Sequence, residues 1–89
     1  MAALYGFSYM PQALAYLKTI PHKLRAHIIK KIKLLSTNPK PRNCKMVIGM
    51  SGGEDQVYRV RSGNYRVLYV VKGIIVVVLD IEHRKDIYR

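Results

Sequence analysis

Three arginines beside a short turn are the residues of this sequence best suited to chemistry. Arg59, Arg61 and Arg66 fall within YRVRSGNYRVLYVV, where Tyr-Arg-Val occurs twice around a break of small residues. A guanidinium group stays protonated in proteins and presents its N–H donors in a planar fork that fits phosphate oxygens. Held together, such groups would bind a phosphate and stabilise negative charge that develops on it during a reaction.

The spacing around Gly63-Asn64 determines whether the arginines converge. This dipeptide predicts a two-residue hairpin turn, which places Arg61 opposite Arg66 and puts Arg59 on the same face of the sheet. Like charges directly opposite each other destabilise a strand pair, so a sequence that keeps such a pair indicates an anion-binding role. A three-residue turn would separate Arg66 from the other two, because a one-residue shift moves side chains to the other face.

The opposite face of this hairpin is apolar and predicts the surface on which helices pack. Its residues are Tyr58, Val60, Tyr65, Val67, Tyr69 and Val71. The arginine face also has Leu68 and Val70 further from the turn, and the last predicted strand, IIVVVLDI, is apolar on both sides. An antiparallel sheet with one face in water normally alternates, so we expect the C-terminal tail or a partner to cover part of this second face.

Hydrophobic spacing places the hairpin after two helices. We predict a first strand at residues 4–9, then a helix at 12–19 that follows Pro11 and buries Leu14 and Leu17. Pro21 opens a second helix, whose apolar stripe is formed by Leu24, Ile28, Ile32 and Leu35.

Four further strands are predicted, at residues 46–49, 56–62, 65–72 and 74–81, and one helical turn follows them. The chain is thus predicted to be a single α+β domain over residues 1–89. An N-terminal helical hairpin packs on one face of a small antiparallel sheet.

Charge is distributed unevenly along the 89 residues. The formal net charge is +11 at pH 7, and all five acidic residues follow position 53. The first part of the chain therefore has basic residues with no carboxylate to neutralise them. Such a balance favours a polyanion or an acidic protein as the partner.

Several classes of site and location are disfavoured. Cys44 is the one cysteine of the sequence, which suits a reducing cytoplasm, and no histidine or second cysteine lies at metal-ligand spacing. The longest apolar run, residues 74–79, is much shorter than the ~20 residues that span a membrane. The N-terminus lacks the pattern of a signal peptide. We therefore expect a cytoplasmic protein without a metal or cofactor.

The tail EHRKDIYR supplies further groups near the arginines. In an antiparallel sheet the end of the last strand lies beside the start of residues 65–72, which places Arg84 and Tyr88 within reach of the cluster. A basic pocket with an aromatic ring suits a phosphodiester and a stacked base. Histidine titrates near neutral pH, so His83 is a candidate for moving a proton alongside Tyr88.

The arginine hairpin, the valine-rich strand, the IEHRKDIYR ending and the basic helical hairpin together resemble the RelE group of the RelE/ParE toxin superfamily. The similarity extends over nearly the whole chain. It implies a toxin of a type II toxin-antitoxin system that cleaves mRNA on the ribosome, without a metal, and so inhibits translation. It also implies an acidic, RelB-like antitoxin as partner, through which the complex binds operator DNA.

The resemblance implies a role for each residue by its position. Arg66 matches the family arginine just after the hairpin turn, and Arg61 matches the arginine before it. Arg59 takes the place of a catalytic lysine on the preceding strand. Arg84 and Tyr88 match the tail arginine and the near-terminal tyrosine implicated in catalysis.

Two positions depart from the family pattern. Val57 replaces a second strand lysine of some relatives, and Glu82 replaces a glycine. The chemistry implied is attack of an RNA 2′-hydroxyl on its adjacent phosphate. Two alternatives remain open: a ParE-type poison of DNA gyrase on the same scaffold, and a nucleic-acid-binding module without catalysis.

Overall fold

The computed structural model describes residues 4–52 and 55–87. In chain order the elements are β1 (Gly6–Tyr9), α1 (Pro11–Thr19), α2 (His22–Leu34), β2 (Lys45–Gly52), β3 (Asp55–Ser62), β4 (Tyr65–Lys72), β5 (Ile75–His83) and α3 (Arg84–Ile87). The five strands form one sheet in the order β1-β5-β4-β3-β2. Helix α1 packs on β5, and α2 packs on β3 and β4. The predicted α+β fold, with a helical hairpin on a sheet, is confirmed.

The sheet is mixed, so the prediction of a wholly antiparallel sheet is wrong. Strands β2 to β5 pair antiparallel, whereas β1 lies parallel to β5. The two helices lead the chain from β1 at one edge of the sheet to β2 at the other edge. No hairpin therefore ties the direction of β1 to that of its neighbour, and the local sequence pattern does not specify it.

Helix α1 begins with Pro11 at a first-turn position, as predicted, where its missing N–H removes no hydrogen bond. Its buried residues are Ala13 and Leu17, which lie four residues apart on one face. The prediction that Leu14 is buried is wrong, since 43% of its surface is exposed.

Helix α2 follows Pro21 and buries Ile28 and Ile32 against the sheet, with Leu35 just beyond its last turn. Leu24 was expected in the same stripe, but it is 44% exposed. It lies in the first turn of α2, beside the loop between β3 and β4. The apolar stripe predicted for α2 therefore begins one turn before the part of the helix that is buried against the sheet.

Tyr69 of β4 is the largest fully buried side chain of the core. Its hydroxyl donates a hydrogen bond of 2.7 Å to the carbonyl oxygen of Pro39, in the connection between α2 and β2. Burial raises the pKa of this phenol, and the neighbouring Cys44 and Tyr58 raise it further. The core thus holds the loop that leads into β2.

The second face of the sheet has an apolar cluster of its own. Val57, Leu68 and Val70 are nearly completely buried there. The partly buried residues packed against them are Val47, Val77 and Leu79 of β2 and β5. Cover by the C-terminal tail or by a partner stays a prediction.

A bulge in β5 explains why this strand is apolar on both sides. Leu68 pairs with Asp80 and Tyr69 pairs with Val78, so Leu79 is an extra residue. Val76 and Val78 before the bulge and Ile81 after it all belong to the helix-side core.

None of the helices in the described ranges is both long and apolar enough to cross a membrane.

Candidate functional site

The turn between β3 and β4 has the predicted length of two residues. Gly63 adopts φ 59°, whereas Asn64 does not have a positive φ. This combination matches the type II′ hairpin turn, which has glycine first. Ser62 pairs with Tyr65, and Arg61 pairs with Arg66. The predicted pairing, on which convergence of the arginines depends, is confirmed.

The three arginines line one groove of about 620 Å³, which we call the arginine groove. Its lining residues are Lys31, Asn43, Lys45, Arg59, Val60, Arg61, Gly63 and Arg66. Lys31 comes from α2, and Lys45 is the first residue of β2. The groove lies at an open sheet edge, because β2 begins opposite Arg59 and leaves the last residues of β3 without a neighbour on that side.

Lys31, Asn43 and Lys45 were not predicted from the sequence as members of this site. Lys31 is one of several lysines on α2, and nothing in the helical pattern distinguishes it from the others. Lys45 could have been found from the strand pairing, since it lies directly opposite Arg59. That pairing follows only if β2 begins at Lys45, whereas the predicted strand begins at residue 46.

The arginine groove has both like and opposite charges paired across its strands. Two cross-strand pairs, Lys45 with Arg59 and Arg61 with Arg66, place cations directly opposite each other. Among residues 4–48 and 55–85, whose side chains the structure describes, the one ion pair joins Lys72 to Asp55 at 3.5 Å, at the far end of the β3–β4 hairpin. The groove therefore has five cationic side chains. Glu82 of β5 pairs with Arg66 across the strands, but it does not line the groove and makes no ion pair within 4 Å with any of these five side chains. Such a concave cationic surface attracts anions.

His83 lies on the other side of the sheet. It pairs with Tyr65, and the two rings meet edge to face with centroids 4.9 Å apart. A second groove of about 190 Å³, which we call the histidine groove, is lined by Leu24, His27, Ser62, Gly63, Asn64, Tyr65 and His83. Gly63 is the residue that the two grooves share. The structure thus does not bring the His83 side chain into the arginine groove.

The tail is fixed to the hairpin turn through its backbone. The N–H of Arg84 donates a 2.7 Å hydrogen bond to the carbonyl oxygen of Asn64, and the N–H of Lys85 donates to His83 Nδ1 at 3.0 Å. Arg84 is exposed beside the turn and is not among the residues that line either groove, so its predicted contact with the arginine cluster stays a prediction. Tyr88, the predicted catalytic tyrosine, lies outside the described residues.

The groups that the arginine groove offers to a ligand are guanidinium, ammonium and one amide. Guanidinium binds phosphate or carboxylate through two parallel hydrogen bonds, and such charge-assisted bonds are about twice as strong as neutral ones. Among the residues that the structure describes, no three His, Cys, Asp or Glu side chains lie close enough together to hold a metal ion. The arrangement can therefore bind an anion and stabilise charge that develops on it.

Comparisons with known proteins agree with this fold. Residues 7–88 match a family model described as the ParE toxin of the type II toxin-antitoxin system parDE. A Methanocaldococcus jannaschii protein that has the name RelE1 is 37% identical over 75 residues, which cover 82% of each chain.

Two solved complexes contain similar chains. The toxin-antitoxin complex RelBE2 of Mycobacterium tuberculosis contains one with a TM-score of 0.78 and 25% identity, covering 94% of this chain and 95% of that chain. The RelB-RelE antitoxin-toxin complex of Methanococcus jannaschii contains one with a TM-score of 0.69 and 28% identity, covering 91% and 94%.

Proposed function

The chain belongs to the RelE/ParE superfamily of type II toxin-antitoxin toxins, and we propose that it is a RelE-type toxin that cleaves messenger RNA on the ribosome. The observation that supports this most is the arginine groove, in which three guanidinium groups and two ammonium groups line one concave surface. An RNA phosphodiester is an anion that matches these groups in charge and in hydrogen-bond geometry.

In the proposed reaction, the 2′-oxygen of one nucleotide attacks the adjacent phosphorus, and the bond from phosphorus to the 5′-oxygen breaks. The products are a cyclic phosphate and a free 5′-hydroxyl. The 2′-hydroxyl loses a proton and the leaving 5′-oxygen gains one, so the step balances without a further reactant. Negative charge rises on the phosphoryl oxygens, and Arg59, Arg61 and Arg66 are proposed to stabilise it as preorganised donors. Arg84 adds a fourth guanidinium from the tail.

Tyr88 and His83 are the two candidates for moving the proton. The side chain of His83 lines the histidine groove and packs against Tyr65, which supports Tyr88 as the proton-transfer group. Neighbouring cations favour the charged form of an acidic group, so four arginines would favour the phenolate of Tyr88. His83 is then proposed to orient the tail instead.

An antitoxin is the proposed partner that keeps the toxin inactive. The two solved relatives are complexes of a toxin with its antitoxin. A net charge of +11 suits an acidic antitoxin, through which we propose that the complex binds operator DNA. Action on the ribosome and mRNA would take place in the cytoplasm.

A ParE-type inhibitor of DNA gyrase is the second candidate, because the family model that matches residues 7–88 describes ParE toxins. The arginine groove favours mRNA cleavage over gyrase inhibition, since a phosphodiester under attack needs several hydrogen-bond donors and this groove brings them together.

Expression of the chain without an antitoxin separates these functions. Primer extension on translated mRNA should give cuts inside codons that require ribosomes, and Arg66→Ala protein should give about a hundredfold fewer. Double-strand breaks in DNA with intact mRNA would indicate the gyrase function. Tight RNA binding with neither kind of damage would indicate a binding module and contradict the nuclease proposal.

A further inference from the structure

The arginine groove has more positive charge than one scissile phosphate requires. A phosphodiester has a single negative charge, whereas five cations line this groove. Glu82, which pairs with Arg66 across the strands, makes no ion pair with any of the five. The three arginines already exceed the charge of one phosphate. Lys31 and Lys45 therefore have no partner within the reaction proposed above.

The cations are spread along the groove. Lys45 lies opposite Arg59, and Arg61 lies two residues further towards the turn, about 6.6 Å along the strand at ~3.3 Å per residue. Lys31 reaches the same groove from α2 and is partly buried. One end of the groove thus has the Arg61–Arg66 pair, and the side next to α2 and β2 has the two lysines.

The two kinds of cation suit different tasks. A guanidinium fork fixes the orientation of a phosphate, which the reacting group needs. An ammonium group is a compact charge with rotatable donors, which suits a phosphate that must be held but not aligned. The lysines therefore have the properties expected of a neighbouring, unreactive position on the same strand.

We propose that Lys31 and Lys45 form a second phosphate subsite beside the arginines, so that the groove holds two consecutive phosphates of single-stranded RNA. This inference rests on the proposed function in one respect, that the ligand of the groove is RNA. The lysines are positioning residues: they bind the flanking phosphate and do not touch the reacting atoms.

Binding of short oligonucleotides tests the second subsite directly. The probes are a dinucleotide with one phosphodiester and a trinucleotide with two, both 2′-O-methylated so that they cannot be cleaved. Titrations at several NaCl concentrations use the wild-type chain, a Lys31→Gln/Lys45→Gln double variant, and a Lys30→Gln/Lys33→Gln double variant. The last is a matched control, because it removes the same charge from lysines of α2 that do not line the groove.

For the wild type we expect roughly tenfold tighter binding of the trinucleotide than of the dinucleotide, from two added ion pairs. The slope of log affinity against log salt should steepen by about 0.7, the value for one more neutralised phosphate of a single strand. The Lys31/Lys45 variant should show neither the tighter trinucleotide binding nor the steeper salt dependence, and the Lys30/Lys33 variant should show both. Equal affinity of the wild type for the two probes, or equal losses in both variants, would overturn the inference.

The failure of this inference and the failure of the proposed function are distinguishable, because neither probe can be cleaved. A chain that shows the expected trinucleotide gain but leaves mRNA intact on ribosomes has the subsite without the nuclease activity. A chain that cleaves mRNA while Lys31→Gln/Lys45→Gln keeps the wild-type KM and trinucleotide affinity has the activity without the subsite.

Discussion

The two faces of the hairpin formed by β3 and β4 consist of alternating residues of the same strands, yet they serve different ends. On the helix side, Val60, Val67 and Tyr69 are 2%, 0% and 0% exposed and join the core. On the other side, near the turn, Arg61 and Arg66 face each other as like charges. One face stabilises the fold, and the other accepts an unfavourable contact that an anion would relieve.

The difference between the faces is confined to the turn end of the hairpin. Further along the arginine face, Leu68 and Val70 are as buried as the helix-side core. The cationic cluster therefore stands on a strand pair that is packed on both sides away from the turn. This rigid support suits a site in which several guanidinium groups must be held in fixed positions.

The largest effect is expected from Tyr69→Ala on the core side. Loss of a buried aromatic ring costs about 3–5 kcal/mol in the free energy of unfolding, a large part of the stability of a small domain. Chemical denaturation measures this change. Tyr69→Phe keeps the ring and loses the hydrogen bond to Pro39, so it should cost about 1 kcal/mol. Equal costs for the two variants would contradict a role for ring packing.

The next largest effect is expected from Arg66→Ala on the groove side. Loss of one preorganised donor lowers the rate of such reactions by about two orders of magnitude, while the free energy of unfolding should stay within about 0.5 kcal/mol of wild type. Single-turnover cleavage on programmed ribosomes measures the rate. Arg25→Ala on α2, outside the groove, is the control and should cleave normally. Arg66→Ala protein that cleaves at the wild-type rate would exclude the proposed role.

The hairpin was predictable from the sequence because its signals are local. Gly63-Asn64 specifies the turn length, and the alternation of apolar residues with arginines specifies which face is buried, so the pairing of Arg61 with Arg66 follows. The parallel placement of β1 was not predictable, because it depends on how two helices cross the sheet.

The face of His83 was not predictable either, for a physical reason that lies in β5. If residues 76–83 alternated without a bulge at Leu79, the pattern that buries Val76 and Val78 would place His83 on the arginine side. The bulge reverses the alternation and turns His83 towards Tyr65. Lys31 joins the site through helix packing, which the spacing along α2 does not reveal.

A smaller effect is expected from Gly63→Ala, which strains the turn that joins both faces. Gly63 has φ 59° and no atom within 4 Å of an added Cβ, so the cost is that of the left-handed backbone, about 1–2 kcal/mol. Gly73→Ala is a matched control, since Gly73 has φ 57° and equally open space at the turn before β5.

Both glycine variants should lose similar stability in denaturation, but only Gly63→Ala should also slow mRNA cleavage, because only that turn sets the arginine pair. Similar cleavage rates for the two variants would show that the geometry of this turn does not matter to the site.

The smallest effect, and the sharpest test of the comparison, is expected from Arg61→Gln. Removing one of two like charges across a strand pair should raise the free energy of unfolding by a few tenths of a kcal/mol, within the ~0.2–1 kcal/mol range of cross-strand pairs, while RNA binding weakens. The gain should vanish in 1 M salt, where the screening length is about 3 Å. Lys72→Gln provides the opposite sign, because it removes the ion pair with Asp55 and should lower stability slightly. If Arg61→Gln destabilises the fold at low salt, the arginine pair is not repulsive. The cationic residues of the groove would then not lower the stability of the unliganded protein.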